Sequence, residues 1–250
     1  MVEGGIKKGL QAICITDHYD KDYPKETGEI DDTQIFDPKQ YFDEIRQLQE
    51  EYKERIELRI GVELGLLPHL GPYYKDLVMK YPFDFVIGSP HIVFGEDPYT
   101  RKIFTHRTDE EVYSEAFKEI LLNIERCQDF DVLGHMDYVV RYGKERDKHY
   151  SYERFSTEID EILKKIIHLG KGIEINTSGL KYGLPFCHPH FDIIKRYRDL
   201  GGEIITVASD AHIPEHIAYD FHKVPEILTK AGFKYYTEFK DRKPSFYPIN

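Results

Sequence analysis

Five short apolar runs in this chain each end on metal-binding side chains, and that repetition narrows the folds open to it. Ile13-Cys14-Ile15 runs into Thr16-Asp17-His18, and Leu58-Arg59-Ile60 into Gly61-Val62-Glu63. Phe85-Val86-Ile87 leads to Gly88-Ser89-Pro90-His91, and Val132-Leu133 to Gly134-His135-Met136-Asp137. Ile204-Ile205-Thr206-Val207 leads to Ser209-Asp210-Ala211-His212. Short apolar runs of this kind suit strands buried on both faces of a parallel sheet. Carboxylates and imidazoles at the C-terminal ends of successive parallel strands imply a metal site at the mouth of a barrel.

The chain alternates strand and helix. Strands are expected near 10–16, 58–64, 83–89, 131–135, 172–176 and 203–208, with amphipathic helices at roughly 38–54, 72–81, 108–128, 151–169 and 189–200. Asp37-Pro38, and Thr108 with Glu111 three residues on, have the form of helix N-terminal caps, while Gly170, Gly201 and Gly202 stand where helices stop. The stretch 233–239 is strand-like and is expected to close or flank the barrel. With chemistry distributed over all the strand ends, a single α/β barrel domain spanning 1–250 accounts for the pattern better than an open sheet. The segments 19–36 and 95–107 become long loops on the mouth side.

Composition narrows the class. Lys+Arg number 34 against 45 Asp+Glu, a net charge of −11, which argues against a nucleic-acid binder or a binder of anionic membranes. Cys14, Cys127 and Cys187 share no zinc-like spacing and read as reduced thiols of a cytoplasmic protein. No apolar stretch reaches membrane-spanning length, and none suggests an export signal. Oligomeric state is left open.

Asp210 and His212 occupy alternate positions, so on a strand end both would point into the mouth. Glu63 carries two oxygens and can bridge two cations, as two-metal hydrolases require, and His91 and His135 offer neutral imidazoles. His188-Pro189-His190 also has a ligand-like spacing, but a proline between the two suits a loop or helix start. His69, His106, His149, His168, His216 and His222 read as surface or structural. Arg141, after the His135 strand, and Lys181, after Asn176-Thr177-Ser178-Gly179, are candidate phosphate-binding cations. Tyr19, Tyr23, Tyr138 and Tyr142 are candidate pocket walls.

Taken in order, Thr16-Asp17-His18, Gly61-Val62-Glu63, Gly88-Ser89-Pro90-His91, Gly134-His135-Met136-Asp137 and Ser209-Asp210-Ala211-His212 resemble the PHP (polymerase and histidinol phosphatase) superfamily over essentially the whole chain. Glu174-Ile175-Asn176-Thr177-Ser178-Gly179-Leu180, Gly201-Gly202-Glu203-Ile204-Ile205-Thr206, Gly232-Phe233 and Arg242-Lys243-Pro244 resemble its histidinol-phosphatase branch. The resemblance implies a distorted seven-stranded, TIM-like (β/α) barrel with up to three divalent metals (zinc, manganese or iron) that hydrolyses L-histidinol phosphate in histidine biosynthesis. It implies Glu63 as the bridging carboxylate, His91 and His135 on one metal, Asp210 on a second, and His18 with His212 on a third. Asp17 is expected to support its neighbour His18 from behind, and Asp210 to serve as one candidate proton donor to the leaving oxygen. Acidic groups of the 19–36 loop, such as Asp20, Asp22 or Glu26, would face the cationic end of that small phosphorylated substrate.

The chain also departs from the family pattern. Superfamily members begin with a strand carrying a His-x-His pair and then a further histidine, and this chain shows neither. Residues 2–9 read as the tail of the helix that follows such a strand. The expectation is that Met1 lies inside a longer protein, the alternative being a naturally shortened and impaired barrel. A nucleotide or tyrosine-phosphate phosphatase on the same barrel stays open as the alternative activity.

Overall fold

In the computed structural model, which describes residues 1–249 other than 26 and 28, every expected strand forms. They are β1 (Ala12–Ile15), β2 (His18–Tyr19), β3 (Glu57–Gly65), β4 (Phe85–Ser89), β5 (Val132–Leu133), β6 (Gly172–Asn176) and β7 (Ile205–Ala208). All pair in parallel in the order β1-β3-β4-β5-β6-β7, with β2 added to the mouth end of β3, so the sheet curls into an incomplete barrel. Val62, Val86, Val132 and Ile175 are fully buried, which explains why these strands read as unbroken apolar runs. Among the described residues β1 and β7 are the sheet's two edges. Residues of both line a cavity of about 1120 Å³ that reaches from the mouth down to the base.

Eight α-helices accompany the strands among the described residues: α1 (Val2–Lys7), α2 (Pro38–Tyr52), α3 (Gly71–Lys80), α4 (Asp109–Arg126), α5 (Ser156–His168), α6 (Ser178–Lys181), α7 (Phe191–Asp199) and α8 (Val224–Ala231). The expected caps are present. Asp37 accepts from the Gln40 amide, and Thr108 and Glu111 form a reciprocal capping box at the start of α4. Helix α4 then buries Val112, Ala116, Phe117, Ile120 and Ile124 against the core, the spacing of a single helical face. Removing the Phe117 ring would cost about 3–5 kcal/mol. Helices α6 and α8 were not expected. The first is a single turn, and the second is short and opens on Val224-Pro225, so neither carries enough repeats for its period to stand out.

The C-terminal stretch does not extend the barrel wall. β8 (Tyr235–Lys240) and β9 (Lys243–Pro248) form a separate antiparallel hairpin. It lies across the N-terminal ends of the barrel strands. Arg59 of β3 donates to the Phe239 carbonyl at 3.2 Å and pairs with Glu238 at 2.8 Å. Arg242 pairs with Asp131 at 3.0 Å, and Phe85 stacks on Phe239 at 5.1 Å. The base is therefore plugged, and the open end carries the chemistry.

Candidate metal centre at the barrel mouth

Glu63, near the end of β3, is the hub. Its Oε1 accepts from Ser89 Oγ at 2.6 Å and lies 3.1 Å from His91 Nε2 and 2.9 Å from His135 Nε2. Its Oε2 lies 3.6 Å from His18 Nε2. Parallel pairing sets this up, because His18 is the register partner of Glu63 on β2, while His91 follows β4 and His135 follows β5. His212 joins through its ring, 5.6 Å from that of His18. One ligand atom each from His18, Glu63 and His91 lies within 4.8 Å of the others, close enough to share one ion.

Asp210 and His212 arrive by a different route from strand alternation. β7 ends at Ala208, and Asp210 sits in the left-handed region (φ 49°), so both residues belong to a loop. The turn still delivers the Asp210 carboxylate to the mouth, 3.7 Å from Arg141 and 3.5 Å from His212 Nδ1. His212 is the most solvent-exposed of the set.

The surroundings fix the charges. Burial opposes the charge on Glu63, but His18, His135 and His91 hold its carboxyl well below the ordinary range. Burial likewise opposes charge on His91, yet Asp20 and Glu63 raise it well above the usual imidazole value. Glu63 pushes His18 up against the effect of burial. Burial also opposes Asp210, and His135 and Arg141 keep it ionised below the ordinary range. A buried carboxylate surrounded by imidazole Nε2 atoms is a donor set suited to divalent transition metals. His135 Nδ1 is buried with no hydrogen-bond partner, leaving that ring's Nε2 as its one engaged nitrogen. The residues present fit a metal centre.

Both candidate phosphate cations converge on this mouth. Arg141 stacks over Tyr142 at 4.8 Å and Tyr182 at 4.4 Å beside Asp210. Lys181 donates to the Asp210 carbonyl at 2.8 Å, and its burial lowers the pKa of its amine. Of the candidate pocket tyrosines, Tyr138 and Tyr142 adjoin Arg141, Tyr23 donates to Asp97 at 2.5 Å, and Tyr19 packs into the core.

Three expectations are corrected. Asp17 does not hold His18 from behind, because that ring's Nδ1 is taken by Asp20 at 3.0 Å. Asp20 does not face the cationic end of a substrate, since it is buried and also binds His91 Nδ1 at 2.6 Å. Asp22 pairs with Lys21 and His69, and Glu26 lies outside the described residues. Asp20 was weighed as one of several loop acids, and no motif distinguishes it; only the fold brings it behind both rings. The His188-Pro189-His190 pair stays away from Glu63. His188 is fully buried against Asp137 at 2.6 Å, and His190 caps α7.

The comparisons with known proteins agree with this geometry. The PHP domain matches residues 1–178. A probable histidinol-phosphatase of Clostridium acetobutylicum is 34% identical over 93% of this chain and 87% of its own length. The histidinol-phosphatase of Lactococcus lactis is 30% identical over 97% of this chain and 88% of its own. The crystal structure of the Lactococcus lactis histidinol phosphate phosphatase, complexed with zinc, L-histidinol and phosphate, superposes with a TM-score of 0.85. That match covers 98% of this chain and 90% of that one at 30% identity. A putative histidinol phosphatase from Listeria monocytogenes shares the fold, with a TM-score of 0.71 at 16% identity. Given the strand-end motifs, the imidazole-ringed carboxylate they assemble and the matches across nearly the whole chain, the protein belongs to the PHP domain family.

Proposed function

We propose that this chain is a metal-dependent histidinol-phosphatase, converting L-histidinol phosphate and water to L-histidinol and phosphate. The observation that carries the reading is the Glu63 carboxylate ringed by His18, His91 and His135, in a chain 30% identical to a relative that binds zinc, L-histidinol and phosphate. Glu63, His18, His91, His135, Asp210 and His212 are the residues assigned to hold divalent cations, with zinc, manganese and iron all suited to that donor set. Cations held there supply an acidified water as nucleophile and neutralise phosphate charge.

The chain's own residues do the rest. Arg141 and Lys181 place two positive charges beside Asp210, positioned to take the non-bridging oxygens of the phosphate and to offset charge that builds in the transition state. Stacking on Tyr142 and Tyr182 restricts the Arg141 fork, so less freedom is lost when it engages a phosphate. Asp210 is ionised at neutral pH, which suits a cation ligand better than the proton donor to the leaving oxygen. Asp17 lies at the exposed rim beside His18, open to substrate or solvent. Among the described residues no helix is long and apolar enough to cross a membrane, and three free cysteines suit a reducing cytoplasm.

The test is phosphate release from L-histidinol phosphate by the purified chain supplied with zinc or manganese. Metal-dependent turnover is expected, with slower release from nucleotide monophosphates and phosphotyrosine. Faster release from either of those would move the substrate assignment, and release unaffected by chelation would remove the metal reading.

A further inference from the structure

Asp20 holds two imidazoles at once. Its Oδ2 lies 3.0 Å from His18 Nδ1 and its Oδ1 lies 2.6 Å from His91 Nδ1, and the residue is only 5% exposed. An ionised carboxylate can only accept hydrogen bonds, so each ring must carry its proton on Nδ1. That places both Nε2 atoms on the opposite side, where they face the two oxygens of Glu63 at 3.1 and 3.6 Å. Two imidazoles from separate strand ends are thereby fixed in tautomer and aim by one side chain. The rings sit 4.9 Å apart between centroids.

The backbone is shaped around this carboxylate. The Asp20 amide donates to the Gln34 carbonyl at 2.8 Å, which anchors the residue just past β2. Across from it, the last residue of β3 is Gly65, whose φ lies outside the left-handed region, so backbone conformation does not demand glycine there. Space does, because a Cβ on Gly65 would lie far inside van der Waals contact distance of Asp20 Oδ1. The Tyr74 hydroxyl donates to the Gly65 carbonyl at 2.7 Å and holds that strand end in place.

We propose that Asp20 is a positioning residue for the metal centre, setting the tautomer and spacing of His18 and His91 together, and that Gly65 is the vacancy that admits its carboxylate. This rests on the metal-centre reading above. A carboxylate behind a metal-binding histidine is generally worth about 10–100-fold in metal affinity or activity. Here one carboxylate serves two such histidines, so a single change disturbs both.

The substitution Asp20→Asn separates this role from packing. The amide has the same shape and volume, but it offers one acceptor and one donor. Its NH₂ group faces one of the two rings, forces that Nδ1 to accept, and puts the proton on the Nε2 needed for a cation. Zinc affinity is measured by chelator competition on the wild type, D20N, D20A and G65A, with the melting temperature of each metal-free protein alongside. The expected result is a loss of about 10–100-fold in zinc affinity for D20N and D20A. D20N should bind no better than D20A and should melt close to wild type without metal. G65A should lose affinity in the same direction because its methyl displaces the carboxylate. Wild-type zinc affinity in D20N would overturn the proposal while leaving the metal centre intact. Failure of the wild type itself to bind zinc would overturn both.

Discussion

Ser89 donates its hydroxyl to Oε1 of Glu63 at 2.6 Å, the same oxygen that faces His91 and His135. Ser89 is fully buried in the last position of β4, so its hydroxyl fixes the rotamer of the carboxylate on the neighbouring strand. Ser89→Ala should lower activity about tenfold by freeing that carboxylate. Glu63→Gln and His91→Ala, which alter the donor set itself, should abolish turnover while the metal-free proteins keep a wild-type far-UV circular dichroism spectrum. Rates near wild type in both would contradict the assigned centre.

Arg141 and Lys181 should separate binding from chemistry. Losing a charged hydrogen bond to phosphate costs about 1.5–3 kcal/mol, or roughly 10–150-fold. Arg141→Met is expected to raise KM and lower kcat/KM by that factor, and Lys181→Met to do the same to a smaller extent because burial already disfavours its charge. Inhibition by inorganic phosphate gives an independent reading, since both variants should bind it more weakly. Unchanged phosphate inhibition would place the phosphate elsewhere.

The base of the barrel holds a half-buried ion pair with a defined pH signature. Burial pushes the Asp131 carboxyl up, while Arg242 and the Val86 amide pull it down. Arg242→Ala removes the guanidinium partner and leaves the buried carboxylate held by the Val86 amide. The cost near pH 7 should fall below the roughly 3–5 kcal/mol of a fully buried pair, because Arg242 is partly exposed. With its folded pKa then further above the unfolded value, Asp131 takes up a proton more readily in the folded state. The deficit should therefore shrink as pH falls from 7 toward 5. Urea unfolding of both proteins at the two pH values checks this, and a deficit that grows on acidification would be incompatible with it.

Asp160 should behave in the opposite sense. Its bidentate contact with Arg196 on α7, with further help from Tyr152, lowers its pKa to about 2. A depressed carboxylate contributes stability that is present above its unfolded pKa and lost as pH falls toward 2. In Arg196→Gln that contribution should be reduced at neutral pH, and the acid-unfolding midpoint should move up. An unchanged midpoint would mean that solvent screens the pair, which is partly exposed.

The barrel and the hub of its site were legible because both rest on short-range rules. Apolar runs followed by His, Asp or Glu mark the strands, and parallel pairing brings their ends together without further information. Glu63, His91 and His135 come together on that rule alone. Asp210 and His212 reach the mouth through a left-handed turn at Asp210, which the alternation rule cannot express. Asp20 reads with Asp22 and Glu26 as a loop acid facing the substrate's cationic end because nothing local marks a carboxylate whose partners are His18 nearby and His91 much further along the chain. Its clearest trace in the sequence is Gly65, a glycine closing a strand whose reason lies on another segment. The first strand of the C-terminal hairpin is legible at 233–239. The second strand and the placement under the barrel are not, because that placement depends on contacts with Arg59, Asp84 and Asp131 from distant segments.

That hairpin sets an order of assembly. The contact from Arg59 to Phe239 spans 180 residues, and the one from Arg242 to Asp131 spans 111. Closing loops of that length is entropically costly, so such contacts form late in folding. During synthesis the helices and inner strands emerge first, while the base stays open until residues 235–248 leave the ribosome. The floor beneath the site is thus supplied by residues synthesised after every strand end that carries a metal-binding side chain.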